Sequence, residues 1–173
     1  MPPIKASALP PQTLLSQYAS NGAFTDCYTA EIERPVSQAE FIEAFYTSAA
    51  FRFERLLLGL FLSKPFSSAQ ARQLAAGELS RVSAWRVEGR TANELLMCDF
   101  LGYTRSWLMV TATSEQSTCL YFGSALLPRK GMRKPGAGIV WKALLGFHKF
   151  YSRALLSSAR RRVARKLDKK QVK

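Results

Sequence analysis

The only histidine is His148, in a chain of 173 residues that also holds three cysteines and twelve carboxylates. A nucleophile–base pair needs a hydroxyl or thiol, an imidazole and usually an orienting carboxylate within hydrogen-bond reach. Ser124 and Asp99 are the residues that could be recruited to His148, but no nucleophile elbow or other local motif surrounds them. His148 sits at the edge of a helical apolar stripe and reads as a structural residue or a polar point in an interior lining. A second group, Arg86, Glu88, Asp99 and Arg105, lies on strand-like segments. By period-two alternation Arg86 and Glu88 share one face of their strand, and Trp85 and Val87 the other. On a solvated face these charges would form cross-strand ion pairs. In a cavity they would hold a carboxylate or polar head group.

Trp85, Met97, Trp107, Met109, Phe122, Phe147 and Tyr151 are ordinary core residues one by one. Together they suit a roomy apolar site, because methionine adapts to irregular ligands. Gly136-Ala137-Gly138 precedes a helix, with Arg129, Lys130, Arg133 and Lys134 beside it, so its backbone N–H groups could hold a phosphate. The third glycine of a dinucleotide fingerprint is missing and no strand follows that helix, so a charged surface loop is expected there. One histidine and scattered cysteines do not build a zinc site. No catalytic residue, metal or cofactor is assigned.

Charge is concentrated at one end. Net charge is +13, yet residues 1–128 carry ten Lys/Arg against eleven Asp/Glu, whereas residues 129–173 carry fifteen Lys/Arg against Asp168 alone. The body is thus near neutral and the last quarter strongly cationic. Arg160, Arg161, Arg162, Arg165 and Lys166 are the residues expected to meet an anionic partner, a membrane surface or, ranked lower, nucleic acid. The bland alternative is a solvated tail. Cys27, Cys98 and Cys119 show no CxxC spacing and stand in apolar stretches, which points to reduced, buried thiols in a cytoplasmic protein. The N-terminus has no continuous apolar run of the secretory kind. The longest such run, Leu56 to Leu62, is far below the ~20 residues of a spanning helix.

The elements that must position these residues follow from period and punctuation. Residues 1–22 read as a poorly ordered lead-in with a turn of helix at Gln12–Tyr18. Residues 23–166 read as one domain and 167–173 as a basic tail. Phe24–Glu33 is the first strand. Ser37 and Glu40 form a capping box ahead of a helix bearing Phe41, Ile42, Phe45 and Tyr46. A second helix is expected over Ala49–Leu62, and a third over Ala69–Ala76, capped by Ser68 and ended by Gly77. Four strands follow at Arg81–Gly89, Glu94–Leu101, Thr104–Thr113 and Thr118–Leu127, with links so short that neighbours must be antiparallel. Last comes a helix from Gly138 to about Lys166. Its stripe is Val140, Leu144, Phe147, Tyr151, Leu155, Ala159 and Val163.

This order is α+β: an antiparallel curved sheet gripping a long C-terminal helix. With Trp85-Arg86-Val87, Thr104-Arg-Ser-Trp-Leu-Met-Val110, Leu120-Tyr-Phe-Gly-Ser-Ala-Leu-Leu-Pro-Arg129 and Leu144-Leu-Gly-Phe-His-Lys-Phe-Tyr-Ser-Arg-Ala-Leu-Leu156, it resembles the START-like, helix-grip superfamily of pollen-allergen and polyketide-cyclase-like proteins. Uncharacterised bacterial proteins of this length look most similar. The resemblance spans roughly residues 23–165 and implies a cavity between sheet and closing helix for a small apolar or amphipathic ligand. It would be lined by Trp85, Met97, Asp99, Arg105, Trp107, Met109, Phe122, Phe147, His148 and Tyr151. Five strands are counted where that superfamily has six or seven, so either one strand is broken in two or the sheet is less closed. A binding module is the first expectation. A protein peripheral to an anionic membrane, a nucleic-acid binder, and a cyclase- or hydrolase-like enzyme in the same cavity are the alternatives.

Overall fold

The computed structural model describes residues 3–51, 67–127 and 139–168, the last span as backbone alone over 139–145 and 166–168. The described elements are β1 (Lys5–Ala6), α1 (Ser16–Ser20), β2 (Phe24–Ile32), α2 (Gln38–Tyr46), α3 (Ser68–Ala76), β3 (Arg81–Val82), β4 (Trp85–Arg90), β5 (Glu94–Asp99), β6 (Thr104–Ser114), β7 (Ser117–Leu126) and α4 (Ile139–Asp168). The strands form one open antiparallel sheet in the order β1-β2-β7-β6-β5-β4-β3. Helices α2 and α4 pack on one face of it. The α+β architecture with a C-terminal helix against the sheet is therefore as expected.

The strand count is corrected from five to seven among the described residues. Arg81–Gly89 is broken by the turn at Ser83, whose φ of 50° leaves the extended region. The lead-in supplies the other strand, β1, on the edge of β2. Most of the expected second helix, and the glycine-rich basic loop at 129–138, lie outside the described residues, although 49–51 are helical.

Local chemistry explains the helix starts. The Ser37 hydroxyl accepts from the Glu40 N–H at 3.2 Å, and the Ser37 N–H donates to the Glu40 carboxylate at 3.0 Å. Helix α3 uses the same device one residue earlier than expected, with Ser67 and Gln70 rather than Ser68. Gly77 ends it with φ of 84°, a left-handed cap that a side chain would resist.

The main core lies between the sheet and the helices. Tyr28, Leu95, Leu108, Leu120 and Phe122 from the strands meet Phe41, Phe45, Leu155, Leu156, Ala159 and Val163. The closing helix meets the sheet along only part of the expected stripe. Residues spaced by four advance about 40° per step around a helix, so Phe147 and Val163 diverge by about 160°. Val163 is buried and Phe147 is 68% exposed.

A second, smaller core covers the far face of the sheet. Leu15 is fully buried there with Cys27, Leu96, Trp107, Met109 and Ala125. The lead-in, read from sequence as poorly ordered, packs on this face, and two glycines make room for it. A Cβ on Gly123 would lie 2.8 Å from Leu15, 2.9 Å from the Asp26 carbonyl and 3.0 Å from Trp107, and one on Gly89 would meet Leu14 at 3.2 Å.

Candidate functional site

Strand register builds the polar part of the site. Asp26 on β2 pairs with Ser124 on β7, Ser124 with Ser106 on β6, and Ser106 with Met97 on β5. This row lies next to the apolar row Tyr28, Phe122, Leu108 and Leu95 on the same face. Helix α4 brings His148 over the row. Ser124 Oγ donates to Asp26 Oδ1 at 2.6 Å, the Ser124 N–H donates to the same oxygen at 3.1 Å, and Ser124 Oγ lies 2.8 Å from His148 Nε2. Asp26 Oδ2 is 3.4 Å from the same ring nitrogen.

The three residue types are those of a hydrolytic triad, but the connections differ. In such a triad the base takes the serine proton through one ring nitrogen and the carboxylate holds the other. Here the single hydroxyl proton of Ser124 goes to Asp26. Ser124 Oγ and Asp26 Oδ2 both crowd one ring nitrogen of His148, Nε2. The set is a hydrogen-bonded cluster in which the Asp26 carboxylate meets Ser124 directly and does not hold the far ring nitrogen of His148. Ser124 meets His148 as the residue types suggest; the carboxylate is Asp26 and not Asp99. Asp99 instead accepts from the N–H groups of Tyr103 at 2.8 Å and Thr104 at 3.2 Å, which holds the β5–β6 turn.

Beside this set lies a pocket of about 150 Å³, partly open to solvent. Phe45, Tyr46, Phe51, Trp85, Phe122, Tyr151 and Leu155 form its apolar wall, while Thr104, Ser106, Ser124, His148 and Ser152 supply polar groups. Ser152 Oγ is buried and has no hydrogen-bond partner among the described residues, and the same holds for Asp26 Oδ2. Of the expected lining, Trp85, Arg105, Phe122, His148 and Tyr151 border this pocket. Met97 is buried in the main core. Trp107 and Met109 belong to the core on the far face. Phe147 stands outside, stacked on Tyr151 at 6.1 Å with the rings 6° from parallel.

Arg105 borders the pocket, but its guanidinium serves the far face. It pairs with Glu88 at 3.0 Å, donates to the Tyr18 hydroxyl at 3.0 Å and to the Gly102 carbonyl, and stacks over the Tyr18 ring. Tyr18 also donates to Glu88, and Arg86 stands 3.7 Å from the same carboxylate. Burial alone would raise the Glu88 pKa, yet the hydrogen bonds from Tyr18 and Arg105, with the Arg105 charge, hold it below the ordinary value. Burial, then the hydrogen bond to Glu88, raises the Tyr18 pKa against the opposing pull of Arg105. This cluster ties the lead-in to the sheet and offers no free head-group ligand. In the basic set, Arg160 is only 5% exposed and faces inward. Burial, then its neighbour Arg161, lowers its pKa. Arg161, Arg162 and Arg165 are exposed, and the Lys166 side chain lies outside the described residues.

The cysteines are free and buried. Burial first, then the Asp26 charge, pushes the Cys27 thiol up to about 12, and burial is also the leading cause of the raised values at Cys98 and Cys119. Since the thiolate is the reactive form, native protein at neutral pH is expected to gain no mass with iodoacetamide and three adducts after denaturation. Rapid native labelling of any cysteine, read by intact mass, would contradict this packing.

Among the described residues no group of three His, Cys, Asp or Glu is placed to hold a metal, and no helix is long and apolar enough to cross a membrane. Comparison with protein-family models, with curated proteins and with solved structures finds no match to the chain.

Proposed function

We propose that the protein is a binding module for a small amphipathic ligand held between the sheet and α4. The observation that carries this reading is the buried Ser152 hydroxyl, which lines an aromatic pocket and has no partner among the described residues. A buried polar group normally finds a partner, and an unpaired one costs about 1–3 kcal/mol. A ligand hydroxyl or carbonyl would supply it. The START-like resemblance supports the same location, between sheet and closing helix.

The volume narrows the ligand. Drug-sized sites run to about 300–1,000 Å³, and a cavity near 150 Å³ takes a single benzene-like ring. The lining narrows it further: Asp26 does not border the pocket, whereas Thr104, Ser106 and Ser152 present hydroxyls to it. They suit a neutral group better than a carboxylate or an ammonium ion. A phenol-like molecule matches both ends. Binding is favoured over catalysis because the carboxylate contacts the serine side of the imidazole and does not hold its second ring nitrogen, as a hydrolytic triad requires.

Phenol titration followed by NMR of the Trp85 indole N–H tests this. Saturable movement of that signal is expected, with affinity weakened about fivefold or more in Ser152→Ala. Benzene affinity should be little changed by the same substitution. No saturable movement with either compound would sink the reading. Native mass spectrometry of freshly purified protein would then show whether a different small molecule travels with the chain.

A further inference from the structure

The outward side of α4 carries two features that the pocket does not use. Phe147 is 68% and Phe150 72% exposed, a large apolar area for two neighbouring side chains on a helix. At 100° per residue Phe147, Phe150, Arg161 and Arg165 fall within one arc of about 60°, opposite the buried Leu156, Ala159 and Val163. The strip they define is about 27 Å long, apolar at one end and cationic at the other. Arg153 flanks it and is also exposed. From 139 to 167 the sequence has no acidic residue, and Asp168 at the end of α4 is the single carboxylate against the helix's basic residues.

We propose that this face of α4 docks on an anionic lipid membrane, with Phe147 and Phe150 entering the interface and Arg161 and Arg165 meeting the head groups. Exposed phenylalanines beside exposed basic residues match the chemistry of an interfacial helix. Single-stranded nucleic acid would instead need open ring faces for its bases. Phe147 already spends one face on Tyr151, whereas insertion into lipid requires only apolar area. The stack also matters for the pocket. Tyr151 lines it, so an aromatic surface runs unbroken from pocket wall to solvent. Arg161 and Arg165 belong to the basic cluster read from sequence, whereas Arg160 of that cluster is buried.

The test is flotation of the full-length protein with vesicles of phosphatidylcholine, alone or with phosphatidylserine added. Binding is expected only with phosphatidylserine. The double substitution F147S/F150S should weaken it about tenfold or more, and R161E/R165E should do so by a similar factor, about fivefold for each charge. All four positions are exposed, so circular dichroism melts should match the wild type. A variant that melts early is replaced by F147Q/F150Q or R161Q/R165Q. Three results would overturn the proposal: no binding to phosphatidylserine vesicles, binding insensitive to the phenylalanine pair, or vesicle binding weaker than a mobility shift with single-stranded DNA at the same salt. Because phenol binding is read in the absence of vesicles, failure of either proposal leaves the other standing.

Discussion

Leu15→Ala is expected to destabilise the fold by about 3 kcal/mol. Leu15 has no exposed surface, and it enters the far face of the sheet where Gly123 leaves space between Trp107 and the Asp26 carbonyl. Truncation removes three buried carbons and leaves a cavity lined by rigid strand backbone and an indole, which cannot readily collapse. For a chain of this length the melting temperature should fall by roughly 6–12 °C. Gly123→Ala attacks the same contact from the other side and should cost about as much, because the new Cβ meets backbone at 2.9 Å as well as Leu15 at 2.8 Å. The double variant should recover only part of the loss, since removing the leucine does not move the Asp26 carbonyl. Denaturant midpoints at constant slope give all three values. If Leu15→Ala were nearly neutral while Gly123→Ala were costly, the lead-in would not be docked as described.

The far-face core also explains which parts of the structure could be read from the sequence. Capping residues act within four positions, so the α2 start at Ser37 and the α3 stop at Gly77 were legible. Antiparallel order was legible because links of two to four residues leave no other choice. Sidedness on β6 was not. Trp107 and Met109 alternate with Leu108 and Val110, and all four are buried, since one set faces the helices and the other faces the lead-in. A strand that is apolar on both faces carries no mark of which face borders a pocket. Leu14 and Leu15 sit in a proline- and glutamine-rich stretch, and the glycines that receive them are 75 and 108 residues away, beyond any local pattern. A signal for the site did exist. Asp26 falls in phase with Phe24, Tyr28, Ala30 and Ile32, and a carboxylate on an apolar face needs a partner. Its distance in sequence from His148 hid which partner it finds.

Glu94→Ala is expected to cost about 3–4 kcal/mol, comparable to or more than Leu15→Ala, although Glu94 contributes little to the apolar core. One of its oxygens, Oε2, accepts both the Leu14 N–H at 2.8 Å and the Trp107 indole N–H at 2.7 Å, and the residue is only 8% exposed. Alanine would leave two donors without their acceptor, the part-buried Leu14 N–H and an indole N–H with no exposed surface. Glu94→Gln separates hydrogen bonding from charge. Its amide oxygen can occupy the Oε2 position and accept from both donors, so the expected loss is only about 1 kcal/mol, the difference between charge-assisted and neutral bonds. Trp107→Phe on each background completes a cycle. With Glu94 present the change leaves a carboxylate oxygen with one donor fewer. On the Glu94→Ala background it removes an unpaired N–H, so the same substitution should be far less costly there. Leu15→Ala and Glu94→Ala should combine to less than their sum, because both release the same segment from the sheet. A glutamine variant as unstable as the alanine one would show that the buried charge, rather than the two hydrogen bonds, holds Leu14 and Trp107 in place.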